Sequence, residues 1–339
     1  MPASVQVISP VLGMGNRLDL ELVASILEES GFDVTRYAMT DRRKVARIGR
    51  AAGTLLRRAR RFDLNIFLAP IFPECLPLAR KNVWIPNPEG FTPYLRKWMP
   101  RMDLVLAKTR MTEQIFRKLG LPAEYTGFTS RDHFEKQDKR DYTKFFHASS
   151  TPCKGTKRLI DVWKNHPEWP EVIIVDPNND PYIASSGRPN IRISKYLEAA
   201  EFNRLQNTIG FHLCPSEAEG YGHYIMEAMS CRAVTFTTNG PPMNELVDPS
   251  RGILLDRLEE TPEFGLSHRY FFKPESMEEQ ITRALKLDHA VLEKIGSSAR
   301  TFFLENDQLF RKSFPEVIRS ICTARNRTPL MPLNAQVDA

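Results

Sequence analysis

Two glutamates, Glu219 and Glu227, lie eight positions apart in the stretch EAEGYGHYIMEAMSC (217–231), with two glycines and a histidine between them. The preceding run FHLCPS predicts a buried strand, and a helix is predicted to begin near Gly222. Glycine lets a backbone approach a ligand closely, and the first-turn N–H groups of a helix favour an anion. The pattern therefore predicts a phosphate site at this helix, with both carboxylates placed to bind hydroxyl groups of the same ligand.

Two series of short apolar runs and amphipathic segments must hold these residues in place. The first begins with SVQVISPV (4–11), continues through the helix-like LELVASILEESG (20–31) and ends near LVLAKT (104–109); the second runs from KFFHASS (144–150) to AVTFTT (233–238). Short buried strands that alternate with helices predict parallel sheets covered on both faces. We expect an α/β fold of two Rossmann-like domains, with the ligand in a central cleft at the carboxyl ends of the strands.

The boundary between the two domains is predicted from a change in composition. The charged stretch RDHFEKQDKRDYTK (131–144) lacks apolar periodicity and is interpreted as a linker. We expect an N-terminal domain over 1–140 and a C-terminal domain over 141–305. The tail at 329–339 has no apolar face and is predicted to be disordered.

Composition restricts the class of protein. The chain of 339 residues is 42% hydrophobic and 26% charged, and no apolar run approaches the roughly 18 residues that cross a bilayer. The five cysteines are scattered without a C-x-x-C pair, which argues against a disulfide framework or a zinc site. We expect a cytoplasmic protein with reduced thiols.

The net charge of +6 has a local source. Nine Lys or Arg residues and no acidic residue lie between Arg42 and Arg61, and their spacing predicts a basic amphipathic helix. One interpretation is an ordinary surface helix with solvated arginines. The other is a contact with a polyanion, such as an anionic membrane at which the protein binds peripherally, a phosphorylated lipid acceptor or a nucleic acid.

The segment EGYGHYIMEAMSC (219–231), with CPS before it and TTNGPPMNEL after it, resembles the signature of family 4-type retaining glycosyltransferases with the two-domain GT-B fold. That family carries two glutamates separated by seven residues. The resemblance is strong from about Phe145 to Leu255 and weak in the N-terminal half. It implies metal-independent transfer of a hexose or similar sugar from a UDP- or GDP-sugar to an acceptor hydroxyl, with no cofactor beyond the donor. It also implies that a C-terminal helix at 306–325 packs back on the first domain.

Roles for the residues of this segment follow from the resemblance. Glu219 matches the glutamate that contacts the transferred sugar near its reacting centre, and Glu227 matches the one that holds the ribose. The backbone at Tyr221, Gly222 and His223 would meet the diphosphate. Each carboxylate could instead be an ordinary surface acid, and His223 could simply start the helix.

A second part of the resemblance lies in HASSTPCKGTKRLI (147–160). Lys154, beside Gly155, matches the lysine that neutralises the donor diphosphate, and a fixed cation there would stabilise the departing group. The family's upstream arginine position is occupied by Ala148, with Ser149 nearby as a donor contact. The positive clamp is therefore predicted to be thinner than usual, and the alternative for Lys154 is a surface lysine.

Further candidates follow other predicted strands. Gly13 and Gly15 in LGMGN (12–16) loosely match a glycine loop of the family, although a plain tight turn explains them nearly as well. Ile193 lies in IRISKY (191–196), where the family binds the nucleotide base through its backbone.

The first domain lacks a histidine that many family members place near the reacting sugar, because the chain has none before His133. Glu89, in the loop IPNPEGF, is the preferred replacement, with an ordinary loop acid as the alternative. Lys108 and Thr109 follow the strand LVLAKT and could contact the acceptor. A further departure is Arg232, where the family usually ends the helix with glycine.

Three functions stay open on the sequence. The first is a glycosyltransferase whose acceptor is a glycan, a phospholipid-linked glycan or a nucleic acid. The second is a non-catalytic protein that binds a nucleotide sugar, favoured by the missing histidine and the thin clamp. The third is a phosphorylase of similar architecture, against which the short chain argues.

Overall fold

The computed structural model describes residues 2–10, 14–39, 62–137 and 139–324. The chain forms two compact units, Met1–Thr129 with Asp307–Ala339 and Ser130–Asn306, which we call the first and second unit. Each contains a six-stranded sheet whose strands pair in parallel. The predicted α/β fold with two parallel sheets is confirmed. Three features predicted from the sequence lie outside the described residues: the basic segment 42–61, Gly13 and the tail 329–339.

Most strands in the sheet of the first unit are apolar and buried, whereas the edge strand Asp33–Met39 is largely exposed. In chain order the strands are β1 (Ser4–Pro10), β2 (Asp33–Met39), β3 (Phe62–Leu68), β4 (Ala79–Ile85), β5 (Leu104–Ala107) and β6 (Ala123–Tyr125). Their spatial order is β2-β1-β3-β4-β5-β6. The helices α1 (Met14–Glu29) and α2 (Arg110–Lys118) connect strands of this sheet.

The sheet of the second unit is doubly wound, with a strand order that differs from that of the first unit. Its strands are β7 (Asp141–Ala148), β8 (Glu171–Val175), β9 (Ile191–Ser194), β10 (Ile209–Cys214), β11 (Val234–Thr238) and β12 (Ile253–Leu255), and the spatial order is β12-β11-β10-β7-β8-β9. A short antiparallel hairpin of β13 (Glu263–Phe264) and β14 (Ser267–His268) follows. Strands β8 and β9 are added on one side of β7, and β10, β11 and β12 are added on the other. Sheets of this kind bind ligands at the switch point between the two directions, here between β7 and β10.

Helices of the second unit pack on its sheet. They are α3 (Thr156–Lys164), α4 (Pro181–Ala184), α5 (Ala199–Thr208), α6 (His223–Ser230), α7 (Met243–Leu246) and α8 (Pro274–Ala284). The core between them is aromatic: Phe145 stacks on Phe211 with 4.8 Å between ring centroids, and Trp163 meets Phe145 edge-on at 5.0 Å. Aromatic pairs in these geometries add to the free energy gained by burial.

The long helix α9 (His289–Thr323) contributes residues to both units, since the division falls between Asn306 and Asp307. In its later part Phe310 and Phe314 are buried and stack at 4.9 Å, and Lys81 of the first unit donates to the carbonyl oxygen of Ile321 at 2.7 Å. Among the described helices, none combines the length and apolar character needed to cross a bilayer.

Two local predictions were wrong. The stretch 14–16, predicted as part of a glycine loop, forms the start of α1, so Gly15 lies in the first turn of a helix. Residues 141–144, assigned to the linker because of their charges, form the start of β7. Tyr142 explains this second difference, because it is buried against Phe211 with 5.2 Å between ring centroids, while Asp141 and Lys144 stay partly exposed.

Candidate functional site

The candidate site lies at the switch point of the second unit. Strands β7 and β10 are neighbours and pair in parallel, with Phe145 opposite Phe211 and Phe146 opposite His212. Their carboxyl ends, Ala148 and Cys214, therefore lie at the same edge of the sheet. The loop that follows β7 carries Lys154, and the loop that follows β10 carries Glu219, so the topology brings two distant parts of the sequence together.

A close backbone contact joins these two loops. Gly155 adopts φ +69°, and a Cβ atom there would lie 2.2 Å from the carbonyl oxygen of Pro215. The backbone N–H of Glu217 also donates to the carbonyl oxygen of Cys153 at 2.8 Å. Only glycine fits both the left-handed conformation and the space. Gly155 thus lets the lysine loop pack directly against the loop of Glu219.

Lys154 and Glu219 form an ion pair in this contact. The Nζ atom of Lys154 lies 2.5 Å from Oε1 of Glu219, and both side chains are about nine-tenths buried, at 10% and 11% exposure. The hydroxyl of Ser216 donates to the same Oε1 atom. An ion pair with little solvent around it is costly to form and strongly affected by a competing charge. An anionic ligand would find here a cation that the fold already holds in place.

The helix α6 starts beside this pair at a glycine with an unusual conformation. Gly222 has φ +114°, and a Cβ atom there would lie 2.9 Å from Cδ1 of Leu246. No side chain among the described residues caps the helix, and its first intrahelical bonds run from Ile225 and Met226 to the carbonyl oxygen of Gly222. The N–H groups of the first turn are thereby left without an acceptor inside the helix, as in anion-binding helix termini.

The side chains around the start of α6 hold this helix to the rest of the second unit. Nδ1 of His223 lies 2.7 Å from Oγ of Ser130, and the hydroxyl of the buried Tyr221 accepts a hydrogen bond from Nδ2 of Asn306 at 3.2 Å. His223 therefore starts the helix and also has a polar side-chain contact. Its predicted role toward the diphosphate through its backbone stays a prediction.

Glu227 lies in the second turn of α6 and is partly exposed. Its Oε1 atom is 3.8 Å from Nε2 of His133, and its side chain is 18% exposed. Ser230, one turn further on, accepts a hydrogen bond at Oγ from the backbone N–H of His133 at 3.1 Å. The carboxylate thus lies at one side of the helix with a histidine as its neighbour, and ribose binding stays a prediction.

Ser149 belongs to a buried network at the end of β7. Its hydroxyl accepts a hydrogen bond from Thr156 at 2.8 Å, and its N–H donates to the carbonyl oxygen of Val175 at 2.8 Å. Oγ1 of Thr156 also contacts Nε2 of His147 at 2.8 Å, while Nδ1 of His147 bonds the carbonyl oxygen of Leu213 at 2.7 Å. Burial lowers the pKa of His147 to about 4, so the imidazole is neutral at physiological pH. The network fixes the loop that carries Lys154.

Ile193 lies in β9, the strand at one edge of the sheet. Its side chain is partly buried against the core of the second unit, and its Cα atom is opposite that of Ile174 in β8. The predicted backbone contact to a nucleotide base at this strand stays a prediction.

The candidates of the first unit lie at the carboxyl end of its own sheet. Glu89 is half-buried in the 3-10 turn Pro88–Gly90 that follows β4. Lys108 is buried, with Nζ 2.5 Å from Oδ2 of Asp19 and 3.2 Å from Oδ1 of Asn87. Thr109 caps α2 by accepting a hydrogen bond from the N–H of Thr112. Lys108 and Thr109 therefore have local structural partners.

Arg232 keeps the left-handed turn that glycine usually forms after such a helix. Its φ is +61°, and its Nη2 atom bonds Oε2 of Glu293 at 3.1 Å and Oγ of Ser297 at 2.7 Å. A Cβ atom at Gly296 would lie 2.2 Å from the carbonyl oxygen of Arg232, so the turn packs tightly on α9. The side-chain contacts offset the conformational strain of a non-glycine residue.

Sequence reasoning missed Ser216 and Tyr224. Ser216 bonds Glu219, and the ring of Tyr224 lies below Lys154 with 3.8 Å between Nζ and the ring centroid. Their positions beside Glu219 in the sequence were a weak signal. No spacing rule links Lys154 to Tyr224 across about seventy residues, because strand order in space decides that contact.

Comparison with known proteins identifies the fold. No family model matches the sequence, and no curated protein matches it either. Among solved structures, a glycosyltransferase from Rickettsia africae ESF-5 superposes with a TM-score of 0.70 at 14% identity over 95% of this chain and 99% of the other. Sucrose-phosphate synthase from Thermosynechococcus elongatus gives 0.72 at 11% identity over 95% and 99% of the two chains. The fold is GT-B.

A third GT-B structure is Anabaena HepE in complex with UDP and glucose, with a TM-score of 0.68 at 15% identity over 94% of this chain and all of the other. At such low identities the likeness concerns the GT-B fold alone. The predicted fold class is therefore confirmed, while the family 4 assignment and the roles of the two glutamates stay predictions.

Proposed function

We propose that the protein is a retaining glycosyltransferase that moves a sugar from a nucleoside-diphosphate donor to an acceptor hydroxyl without a metal ion. The observation that carries the proposal is the ion pair of Lys154 and Glu219 at the switch point of the second unit, beside the uncapped start of α6. A cation and helix N–H groups at one place suit a diphosphate, and a carboxylate next to them suits sugar hydroxyls. The GT-B fold and the UDP and glucose bound to HepE agree with such a donor.

Each residue has a defined part in the proposed reaction. Lys154 and the first turn of α6 stabilise the negative charge that grows on the diphosphate as its bond to the sugar breaks. Glu219 holds the sugar and supports its developing positive charge, and Glu227 holds the ribose. The acceptor hydroxyl attacks from the face that the diphosphate leaves and gives its proton to the departing phosphate oxygen, so the anomeric configuration is retained. Glu89 is the proposed contribution of the first unit near the reacting sugar.

The proposal is tested with Lys154→Ala, using Lys157→Ala as the matched control. Lys157 lies on α3 and pairs with Asp180 at 3.0 Å with 60% of its side chain exposed. With a panel of UDP- and GDP-sugars, we expect donor turnover to fall by about a hundredfold or more in the first variant and to stay unchanged in the second. The coupling constant of the product's anomeric proton reports retention, and chelator reports metal dependence. Wild-type turnover in Lys154→Ala would remove the site assignment.

A non-catalytic protein that binds a nucleotide sugar is the second candidate. Ala148 occupies the place of the family's arginine, and no histidine precedes His133. Both features would weaken catalysis of sugar transfer more than they weaken binding of the nucleotide sugar. Tight binding of UDP or GDP by the wild-type protein, with neither transfer nor hydrolysis of any sugar nucleotide, would favour this function.

The acceptor is proposed to be a glycan or a lipid-linked glycan with anionic groups, on the basis of the nine basic residues between Arg42 and Arg61. Binding to liposomes with and without anionic lipid, and to DNA, at low and high salt separates this from glycosylation of a nucleic acid. Binding to DNA alone would favour the nucleic-acid acceptor.

A further inference from the structure

Tyr224, the second residue of α6, contacts both sides of the Lys154–Glu219 pair. Its ring lies 3.8 Å from Nζ of Lys154, which is the geometry of a cation–π interaction. Its hydroxyl oxygen lies 2.6 Å from Oγ of Ser216, and Ser216 bonds Glu219. A single aromatic side chain therefore connects to the cation directly and to the carboxylate through one serine.

The direction of these hydrogen bonds can be assigned. A serine hydroxyl has one hydrogen, and that of Ser216 is donated to Oε1 of Glu219. The hydroxyl of Tyr224 must then donate to Oγ of Ser216. Burial raises the pKa of Tyr224 well above its ordinary value, so the phenol keeps the hydrogen that this bond requires. The chain of donors runs from Tyr224 through Ser216 to Glu219.

The geometry points to Tyr224 as a positioning residue for the nucleotide-sugar site: its ring holds the ammonium of Lys154, and its hydroxyl holds Glu219 through Ser216. This inference rests on the proposed function, because Lys154 and Glu219 are its donor-binding groups. It adds a residue and a mechanism to which the glutamate spacing does not point.

A ring suits this position because the donor and Glu219 compete for Lys154. When a diphosphate binds the ammonium, the contact with the carboxylate weakens and Glu219 becomes available to the sugar. A second acidic residue near Lys154 would compete with the donor, while an aliphatic side chain would let the flexible ammonium move. The neutral ring attracts the ammonium without cancelling its charge, so Lys154 stays in place during the exchange.

The two contacts of Tyr224 are separated by comparing Tyr224→Phe with Tyr224→Leu. Phenylalanine keeps the ring and loses the hydroxyl, so we expect UDP or GDP to bind within about twofold of the wild type while kcat falls about tenfold. Leucine loses both contacts, so we expect nucleotide affinity to fall about tenfold as well. Binding is measured by calorimetry, and circular dichroism checks that each variant is folded. Equal nucleotide affinity in Tyr224→Leu and Tyr224→Phe would overturn the role of the ring.

The hydrogen-bond chain is tested by a double-mutant cycle with Ser216→Ala. Tyr224→Phe and Ser216→Ala each interrupt the same path to Glu219. We therefore expect the fold-decrease in kcat of the double variant to be no more than about twice that of one single variant. A side chain that only fills space would give losses that multiply. Multiplied losses would therefore overturn the path through Ser216.

The outcome also distinguishes this inference from the proposed function. If the wild-type protein binds neither UDP nor GDP, the donor site fails and the inference fails with it. If the wild type binds nucleotide and the Tyr224 variants lose affinity and kcat only in proportion to the fraction of unfolded protein, the inference about Tyr224 fails and the proposed function stands. Nucleotide binding needs no acceptor, so the test does not wait for the acceptor to be known.

Discussion

Lys154 and Glu219 neutralise each other's charge in a buried ion pair, with which an anionic ligand must compete. A diphosphate must draw the ammonium away from a carboxylate 2.5 Å distant. The ion pair therefore opposes nucleotide binding while it keeps both groups ordered. Removal of the carboxylate charge should have opposite effects on binding and on transfer.

We predict that Glu219→Gln binds UDP or GDP about five times more tightly than the wild type, because Lys154 loses its competing anion. Transfer should nevertheless fall by about a hundredfold, since the glutamine cannot support positive charge on the sugar. Calorimetry gives the affinity and a donor-turnover assay gives the rate. Glu217→Gln is the matched control, because the carboxylate of Glu217 pairs with Arg269 instead. Weaker nucleotide binding in Glu219→Gln would contradict the competition.

At the scale of elements, the site depends on two loops that follow neighbouring strands. The sequence predicted both strands and the helix α6, because apolar runs and helical periodicity are local signals. It also predicted Lys154 and Glu219 as site residues through a resemblance. It did not predict their contact, since residues 65 positions apart meet only through the pairing of β7 with β10.

Elements with contradictory local signals were predicted less well. Gly15 suggested a turn, yet it lies within α1, whose later apolar residues Leu20, Val23 and Leu27 are buried against the sheet. Tertiary burial outweighs the roughly 1 kcal/mol that glycine costs a helix. The charged residues of DYTK (141–144) likewise suggested a linker, but this segment begins the strand β7 because Tyr142 is buried.

The contact between the two loops gives a prediction for Gly155. Gly155→Ala should lower the free energy of unfolding by about 2 kcal/mol or more, because it forces a left-handed residue and a clash with the backbone of Pro215. The lysine loop should also move, so nucleotide affinity should fall by at least about tenfold. Denaturant unfolding and calorimetry measure the two effects.

Gly187→Ala is the control for this variant. A Cβ atom at Gly187 would meet its nearest neighbour, the carbonyl oxygen of Ile191, at 3.8 Å, which is ordinary contact. We expect this variant to be as stable as the wild type or slightly more stable. Equal unfolding free energies for the two alanine variants would show that the loops do not depend on glycine at 155.

At the scale of the whole molecule, the second unit buries titratable groups inside its sheet. His147 and His212 lie in neighbouring parallel strands, and burial lowers the pKa of His147 to about 4 and that of His212 to about 3. In the unfolded chain both would titrate near about 6.5. The folded state therefore binds fewer protons than the unfolded state between these values. The contribution of the two neutral histidines to the free energy of unfolding is fully present above about pH 6.5 and is lost as the pH falls toward 4.

His212 offers a clean test of this acid sensitivity. Its ring packs against Phe146 with 5.2 Å between ring centroids, and its Nε2 atom is buried without a hydrogen-bond partner among the described residues. We predict that His212→Phe, which keeps an aromatic ring and removes the titration, loses about 2 kcal/mol less stability than the wild type between pH 7 and pH 5. Urea unfolding at both pH values measures the difference. An equal loss in variant and wild type would mean that other groups, carboxylates among them, carry the acid sensitivity of the molecule.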